Sequence, residues 1–495
     1  MLEVPLDYAD AKAGTTTIAF IKTVSPNKDA KDILVNPGGP GGSGIDMVRG
    51  SYKEYLPLIS GDPNKTTDYN LVGFDPRGIG YSGPTLSCYN STAGDAARLE
   101  TATEATYGEL MPIEAVYQLS QARGEFCTKA NKDTDAKYVG TVAVANDMLH
   151  YIKIAAEANG KKADDAKLMY WGVSYGTVIG ATFARLFPDK VERIVVDGNV
   201  DSVQYYTGHA VNAVADADHC FRTFFKHCFE AGAELCPFAG NTTSAIDLEA
   251  RYVKMWENLK RFPMVVSDPE VVPIPTLLTM SQLMKPIMTA FRNPAAYPLL
   301  GQLLALIDSG ANATTIYKAI NSTPIFASTP ESKAAESIMA EKGVLITCID
   351  SNPQFRLPRE ELLGVQAYYN GTSRFFGEDV FRANGLACPG FDISPPPSQI
   401  FPGLETTNTS FPILFIGTTA DPITPLSNAH NIAKFFPGSV VLAQNSPGHG
   451  FTAAGSRCTV KAFGEYLREG KLPPTGTICE LDEPLFQKPK DESTA

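Results

Sequence analysis

The sequence is sparing with charge, tryptophan and histidine, and it has no long apolar run. Charged residues make up 19% of the 495, and 54 acids outnumber 42 bases for a net charge of −12. That balance argues against nucleic acid as a partner, which would need a basic stripe. No apolar stretch approaches the roughly 18 residues of a membrane helix, so no membrane partner is expected. The nine cysteines contain no pairs spaced by two to four residues, so no metal site is expected. The one glycine-rich loop, Gly38 to Gly44, lacks the Gly-Lys-Ser/Thr ending of a phosphate loop. Prolines at 37 and 40 stiffen it, unlike a dinucleotide-binding helix entry, and no cofactor is expected.

Three short segments carry the chemistry. Gly172-Val173-Ser174-Tyr175-Gly176 follows the apolar run Leu168-Met169-Tyr170-Trp171. Ala420-Asp421-Pro422 follows Ile413-Leu414-Phe415-Ile416, and Gly448-His449-Gly450 follows Val440-Val441-Leu442. Nucleophile, acid and base thus occur in the order used by α/β-hydrolases, each where a strand should end. A serine hydroxyl becomes a useful nucleophile only when a histidine takes its proton and a carboxylate orients that histidine. Ser174, Asp421 and His449 are therefore the candidate catalytic residues. The glycine-rich loop reads as an oxyanion hole, with one backbone N–H from Gly39 and the other from Tyr175. Arg77, in Asp75-Pro76-Arg77-Gly78, is expected to pair internally and shape the neighbouring loop.

Short apolar runs at residues 32–36, 69–74, 167–171, 193–196, 412–416 and 439–443 resemble strands buried on both faces. A β-branched run over 15–24 reads as an earlier strand. Helical spacing appears between them, as in 141–156 and 177–187. The alternation predicts an α/β doubly wound, mostly parallel sheet. Residues 84–140 read as a polar, loop-rich insertion. A larger, mainly helical insertion is expected between strands 6 and 7. The expected organisation is a core over 1–197, a helical lid over 198–411, and the rest of the core over 412–495.

Cysteines and glycosylation sequons agree on a compartment. Seven Asn-x-Ser/Thr sequons occur, at Asn64, Asn90, Asn241, Asn312, Asn321, Asn370 and Asn408. With 22 asparagines, chance gives about three. The expected pairs are Cys88–Cys127, Cys228–Cys236, Cys348–Cys388 and Cys458–Cys479, which leaves Cys220 over. A secreted protein is implied, although no signal peptide begins at Met1.

Taken together, Val4-Pro5-Leu6-Asp7-Tyr8, Asn36-Pro37-Gly38-Gly39-Pro40-Gly41, Asp75-Pro76-Arg77-Gly78-Ile79-Gly80 and the segments around Ser174 and His449 carry a family likeness. They resemble the tripeptidyl-aminopeptidase-like serine hydrolases, relatives of proline iminopeptidase, and look most like the secreted fungal members. The resemblance implies an exopeptidase that cleaves short peptides or single residues from a free N-terminus. It also implies lid carboxylates that hold the substrate's α-ammonium, for which Asp216 and Asp218 are the candidates. A hydrolase of small-molecule esters or lactones would use the same five residues, so the substrate is a peptide or a small ester. Oligomeric state is left open.

Overall fold

The computed structural model describes residues 1–60, 68–89, 110–208, 210–327, 330–351 and 357–487. Its strands, in chain order, are β1 (Leu2–Pro5), β2 (Thr15–Ile18), β3 (Phe20–Lys22), β4 (Lys31–Asn36), β5 (Tyr69–Phe74), β6 (Leu168–Val173), β7 (Val191–Asp197), β8 (Met264–Val266), β9 (Thr276–Leu278), β10 (Leu414–Ala420), β11 (Val440–Pro447) and β12 (Ile478–Glu480). Eight of them form one sheet in the order β12-β11-β10-β7-β6-β4-β5-β3. Every pairing in it is parallel except β3 with β5. This is an α/β-hydrolase fold.

The sheet is apolar on both faces because its strands are buried on both faces. In β4, Ile33 and Val35 point into one core and Leu34 into the other. In β6, Met169 and Trp171 take the first side, Leu168 and Tyr170 the second. Trp171 is fully buried against Tyr55, Phe451 and Phe463, so one of two tryptophans anchors the face beneath the candidate base loop.

The 15–24 run is two strands, not one. At Ala19 the chain leaves its pairing with β1; there the backbone N–H donates to Ser82 Oγ and the carbonyl accepts from Asp75 N–H. Counting 15–22 as one broken strand, the large insertion follows the sixth strand, β7, and chain and sheet resume at β10. Helices dominate it, among them Ala217–Leu235, Ala245–Arg261, Met280–Arg292, Tyr297–Asp308 and Pro330–Asp350, with β8 and β9 as a small hairpin. The 84–140 segment is less loop-like than its polarity suggests. It holds the 18-residue helix Ile113–Ala130, tied back by Cys88–Cys127. All four expected disulfides form, and Cys220 is buried and free. Gly232, at φ 72°, breaks its helix so that Cys236 can turn back to Cys228. No helix among the described residues is long and apolar enough to cross a membrane.

Arg77 pairs internally. It is 0% exposed, and its Nε and Nη2 meet the two oxygens of Asp147 at 2.7 and 2.8 Å. Its remaining protons reach the carbonyls of Pro5, Leu6 and Tyr138. One guanidinium thereby ties the N-terminal strand to the helix Thr141–Ala158. Removing one member of a buried pair strands the other charge, at a cost of about 3–5 kcal/mol. Arg77→Met should therefore lower the unfolding free energy by that amount in urea titration; a loss under about 1 kcal/mol would refute this account.

Candidate active site

The strand β6 ends in a forced turn. Ser174 has φ 58° and ψ −125°, and it is the only non-glycine residue with positive φ among the described residues. Such backbone costs about 1–3 kcal/mol and persists only when its surroundings hold it. Several bonds hold it here, the Thr177 hydroxyl to the Ser174 carbonyl at 2.6 Å among them. Ser174 N–H donates to the Asp197 carbonyl at 3.0 Å, Thr177 N–H donates to the Ser174 carbonyl at 2.8 Å, and Tyr170 OH caps Gly176 O at 2.9 Å. The turn needs bare backbone on either side. A Cβ on Gly172 would lie 2.3 Å from Gly176 O, and one on Gly176 would lie 2.8 Å from Asn36 O. Ser174 itself stays partly accessible.

The glycine loop and a helix start meet beside it. Tyr175 opens the helix Tyr175–Leu186, so its N–H has no carbonyl one turn earlier. The loop Pro37–Gly42 crosses so closely that a Cβ on Gly38 would sit 2.7 Å from Ser174 Cβ and 2.8 Å from Tyr175 N. Asn36 Oδ1 takes the Gly38 N–H, and Gly38 O takes that of Gly42. Among the described residues the N–H groups of Gly39 and Tyr175 reach no acceptor. The two N–H groups expected as donors are thus unpaired among the described residues, the state an oxyanion hole requires.

Asp421 and His449 meet. Asp421 is 0% exposed, with its Oδ2 2.9 Å and its Oδ1 3.2 Å from His449 Nδ1. The carboxylate also accepts from Ile423 N–H, Thr424 N–H and Thr424 Oγ1–H, at 3.0, 2.9 and 2.7 Å. Burial alone would raise its pKa, but the charge of the imidazole and these donors hold it below the usual carboxylate value. The histidine loop is pinned on several sides. Gly448 N–H donates to Ala420 O, Gly448 O accepts from Thr418 Oγ1, and His449 N–H donates to Arg292 O of the insertion. His449 Nε2 is buried and has no partner among the described residues. The row expected from the sequence is therefore closed on its acid–base side, while the hydroxyl–imidazole bond is not formed. Such bonds commonly tighten only with substrate in place.

The two lid candidates diverge. Asp218 turns inward, accepting from Ser373 Oγ at 2.6 Å, Arg374 N at 3.0 Å and Phe375 N at 3.3 Å. Those bonds stitch the helix Ala217–Leu235 to residues 373–375, so the expectation of a substrate contact at Asp218 is corrected to a structural one. Asp216 is half-buried near Asp421 and Leu426, and burial pushes its carboxyl upward.

Two further carboxyls adjoin the site. Asp350 ends the insertion helix Pro330–Asp350 and accepts from Thr141 N–H at 2.7 Å, Thr141 Oγ1 at 2.5 Å and Tyr205 OH at 2.7 Å. Thr141 Oγ1 in turn lies 2.6 Å from Tyr175 OH. Burial pushes Asp350 up to about 6. Asp197, at the end of β7, is buried and pushed up to about 8 by burial first and by the nearby Asp421 charge second. Sequence reading missed both. Asp350 lies at the end of an amphipathic helix like any solvated acid, and Asp197 sits at a strand end like any turn residue. The one available signal was Asp197-Gly198, a polar pair closing the buried run Ile194-Val195-Val196.

Folded-state pKa values above the unfolded range of about 4 mean that these two groups stabilise the fold most in acid. Their contribution is complete below about pH 4 and is lost as pH rises through about 6 for Asp350 and about 8 for Asp197. The melting temperature of Asp197→Asn, relative to wild type, should therefore rise between pH 6 and pH 9. Calorimetry showing a constant difference across that window would contradict the assignment.

The chain is similar to known proteins over nearly all of its length. Residues 32–236 match the model of the alpha/beta hydrolase fold, and residues 373–479 match that of TAP-like proteins. Over 487 residues the chain is 25% identical to serine protease Hip1 of Mycobacterium tuberculosis, covering 97% of this chain and 86% of that protein. It is also 25% identical to carboxylesterase B of the same organism over 489 residues, covering 97% and 85%. The tripeptidyl aminopeptidase of Streptomyces lividans is 25% identical over 493 residues, covering 96% and 82%.

Proposed function

We propose, from the premise that this chain is a TAP-like α/β-hydrolase, that it is a serine exopeptidase releasing short peptides or single residues from free N-termini. In this reading Ser174 Oγ attacks the scissile carbonyl while His449 Nε2 takes its proton. Asp421 holds Nδ1–H, fixing the tautomer and stabilising the imidazolium. The N–H groups of Gly39 and Tyr175 receive the oxyanion. His449 then gives the proton to the leaving amine. Water, activated by the same imidazole, attacks the acyl-enzyme, and Ser174 is regenerated.

The observation that favours a peptide with a free amine is Asp350. Its three donors are neutral, so the carboxylate has no cationic partner among the described residues. It stays partly accessible, on an insertion helix that packs on the oxyanion loop. There, Cβ atoms on Gly41 and Gly343 would meet Met339 O at 2.6 Å and Pro40 O at 2.5 Å. An α-ammonium is the charge such a carboxylate lacks, and Asp216 is a second acid near the triad. In this reading the cap runs over 198–411. The four disulfides, and the exposure of Asn241, Asn312, Asn321, Asn370 and Asn408, support a secreted glycoprotein. Asn64 and Asn90 lie outside the described residues.

A hydrolase of small esters or lactones is the second reading. It is favoured by a relative named carboxylesterase at the same 25% identity as the peptidases. Free-amine and N-acetylated tripeptidyl amides, assayed beside simple esters, separate the two. Cleavage of free-amine amides alone supports the exopeptidase. Esters cleaved while every amide survives support the second reading. A charge-assisted hydrogen bond is worth about 1.5–3 kcal/mol. Asp350→Asn should accordingly raise KM for free-amine amides about 10- to 100-fold, and change ester turnover far less. Equal losses on both substrates would remove Asp350 from amine recognition.

A further inference from the structure

One residue touches both halves of the catalytic apparatus. The backbone carbonyl of Asp197 accepts the N–H of Ser174 at 3.0 Å. The carboxyl of the same residue receives Phe451 N–H, two residues beyond His449, at 3.1 and 3.2 Å to its two oxygens. Gly450 passes so close that a Cβ on it would lie 2.9 Å from Asp197 Oδ2. The next residue, Gly198, donates its N–H to Ile416 O of β10. A Cβ on Gly198 would sit 3.2 Å from His449 Cε1 and 3.3 Å from Nδ1. The imidazole therefore rests on this glycine. We infer that Asp197 is a positioning residue that sets the distance between the Ser174 hydroxyl and the His449 ring. The inference rests on the triad reading above.

The chemistry of the site says in which form it works. Its two oxygens share the N–H of Phe451, with the N–H of Gly198 as a weaker backbone donor, and the group is 0% exposed. A carboxylate so placed is short of donors, unlike Asp421, whose two oxygens gather the N–H groups of Ile423, Thr424 and Gly450 and the Thr424 hydroxyl beside the imidazole. The charged group that faces it is Asp421, from the loop after β10, and that charge is of the same sign. From the β11 loop come His449, already claimed by Asp421, and the uncharged Gly450 and Phe451. From β6 comes Ser174. No lysine or arginine among the described residues acts on it. The neutral acid is thus the form that fits. Ionisation, centred at about 8, puts a second negative charge beside that of Asp421 in the cage of the imidazole.

The test is the rate at which a fluorophosphonate labels Ser174, followed from pH 7 to pH 9.5 on the full chain. The wild type should lose rate on an alkaline limb near pH 8. Asp197→Asn keeps an acceptor for Phe451 N–H and cannot ionise, so its ratio of rates at pH 9.5 and pH 7 should exceed the wild-type ratio at least threefold. Asp197→Ala leaves that N–H without its acceptor, and its rate at pH 7 should fall at least tenfold below that of Asp197→Asn. Melting curves verify that each variant is folded. Should Asp197→Asn, folded and labelled, keep the wild-type ratio, the inference is overturned. It is also overturned if folded Asp197→Ala labels as fast as wild type. A wild type that takes no label at any pH instead overturns the triad reading, so the two failures are told apart.

Discussion

Everything at this site hangs on a carboxylate that has been taken out of water and kept charged. Asp421 is fully buried, and burial by itself would neutralise it. The N–H groups of Ile423 and Thr424, the Thr424 hydroxyl and the His449 ring replace its lost hydration. The proline after Asp421 shapes the turn that brings the two backbone donors back onto the side chain. Without that compensation the imidazole would lose the charged partner that holds its Nδ1 side.

The sheet supplies the convergence. Parallel strands all end at one edge, so the turn after β6, the glycine loop after β4, the acid loop after β10 and the base loop after β11 emerge side by side. The insertion is not a detached cover on that edge. Arg292 O holds His449 N–H, Glu341 accepts Cys88 N–H and Ser87 Oγ–H, and Asp350 accepts from Thr141. A helix that must meet the oxyanion loop, a disulfide-linked core segment and a core helix at once has little freedom to shift as a rigid body. The insertion and the glycine loop beside Ser174 are therefore mechanically linked, and the fold alone does not name the substrate.

What the sequence revealed follows the range of the physics involved. Ser174, Asp421 and His449 stand out because each sits where an apolar run stops, and two are framed by glycines that a close backbone approach demands. The Cys228–Cys236 disulfide was legible because a helix broken at Gly232 can fold a cysteine eight residues back. The Arg77 pairing was legible in kind but not in partner, since Asp147 lies 70 residues away on another element. Asp218 misled because its sequence neighbours look solvated, whereas its partners are 155 to 157 residues on. The broken strand at Ala19 depends on Ser82 and Asp75, and no local pattern encodes such a pairing. Asp350 and Asp197 escaped for the same reason: their environments are assembled entirely by tertiary contacts.

The same logic explains why one site can hold two buried aspartates with opposite protonation. Asp421 and Asp197 lie on adjacent strand ends, β10 and β7, within each other's field. Asp421 has four donors and an imidazole; Asp197 has the N–H groups of Phe451 and Gly198 and the negative charge of its neighbour. Like charges this close in a dry cage do not both ionise near neutrality, so the better solvated carboxyl takes the charge and the other keeps its proton. The division leaves the imidazole with a single charged partner, on the Nδ1 side. It also explains how an aspartate can be used twice over as a spacer, by its carbonyl toward the nucleophile and by its side chain toward the base, without competing for the histidine it helps to place.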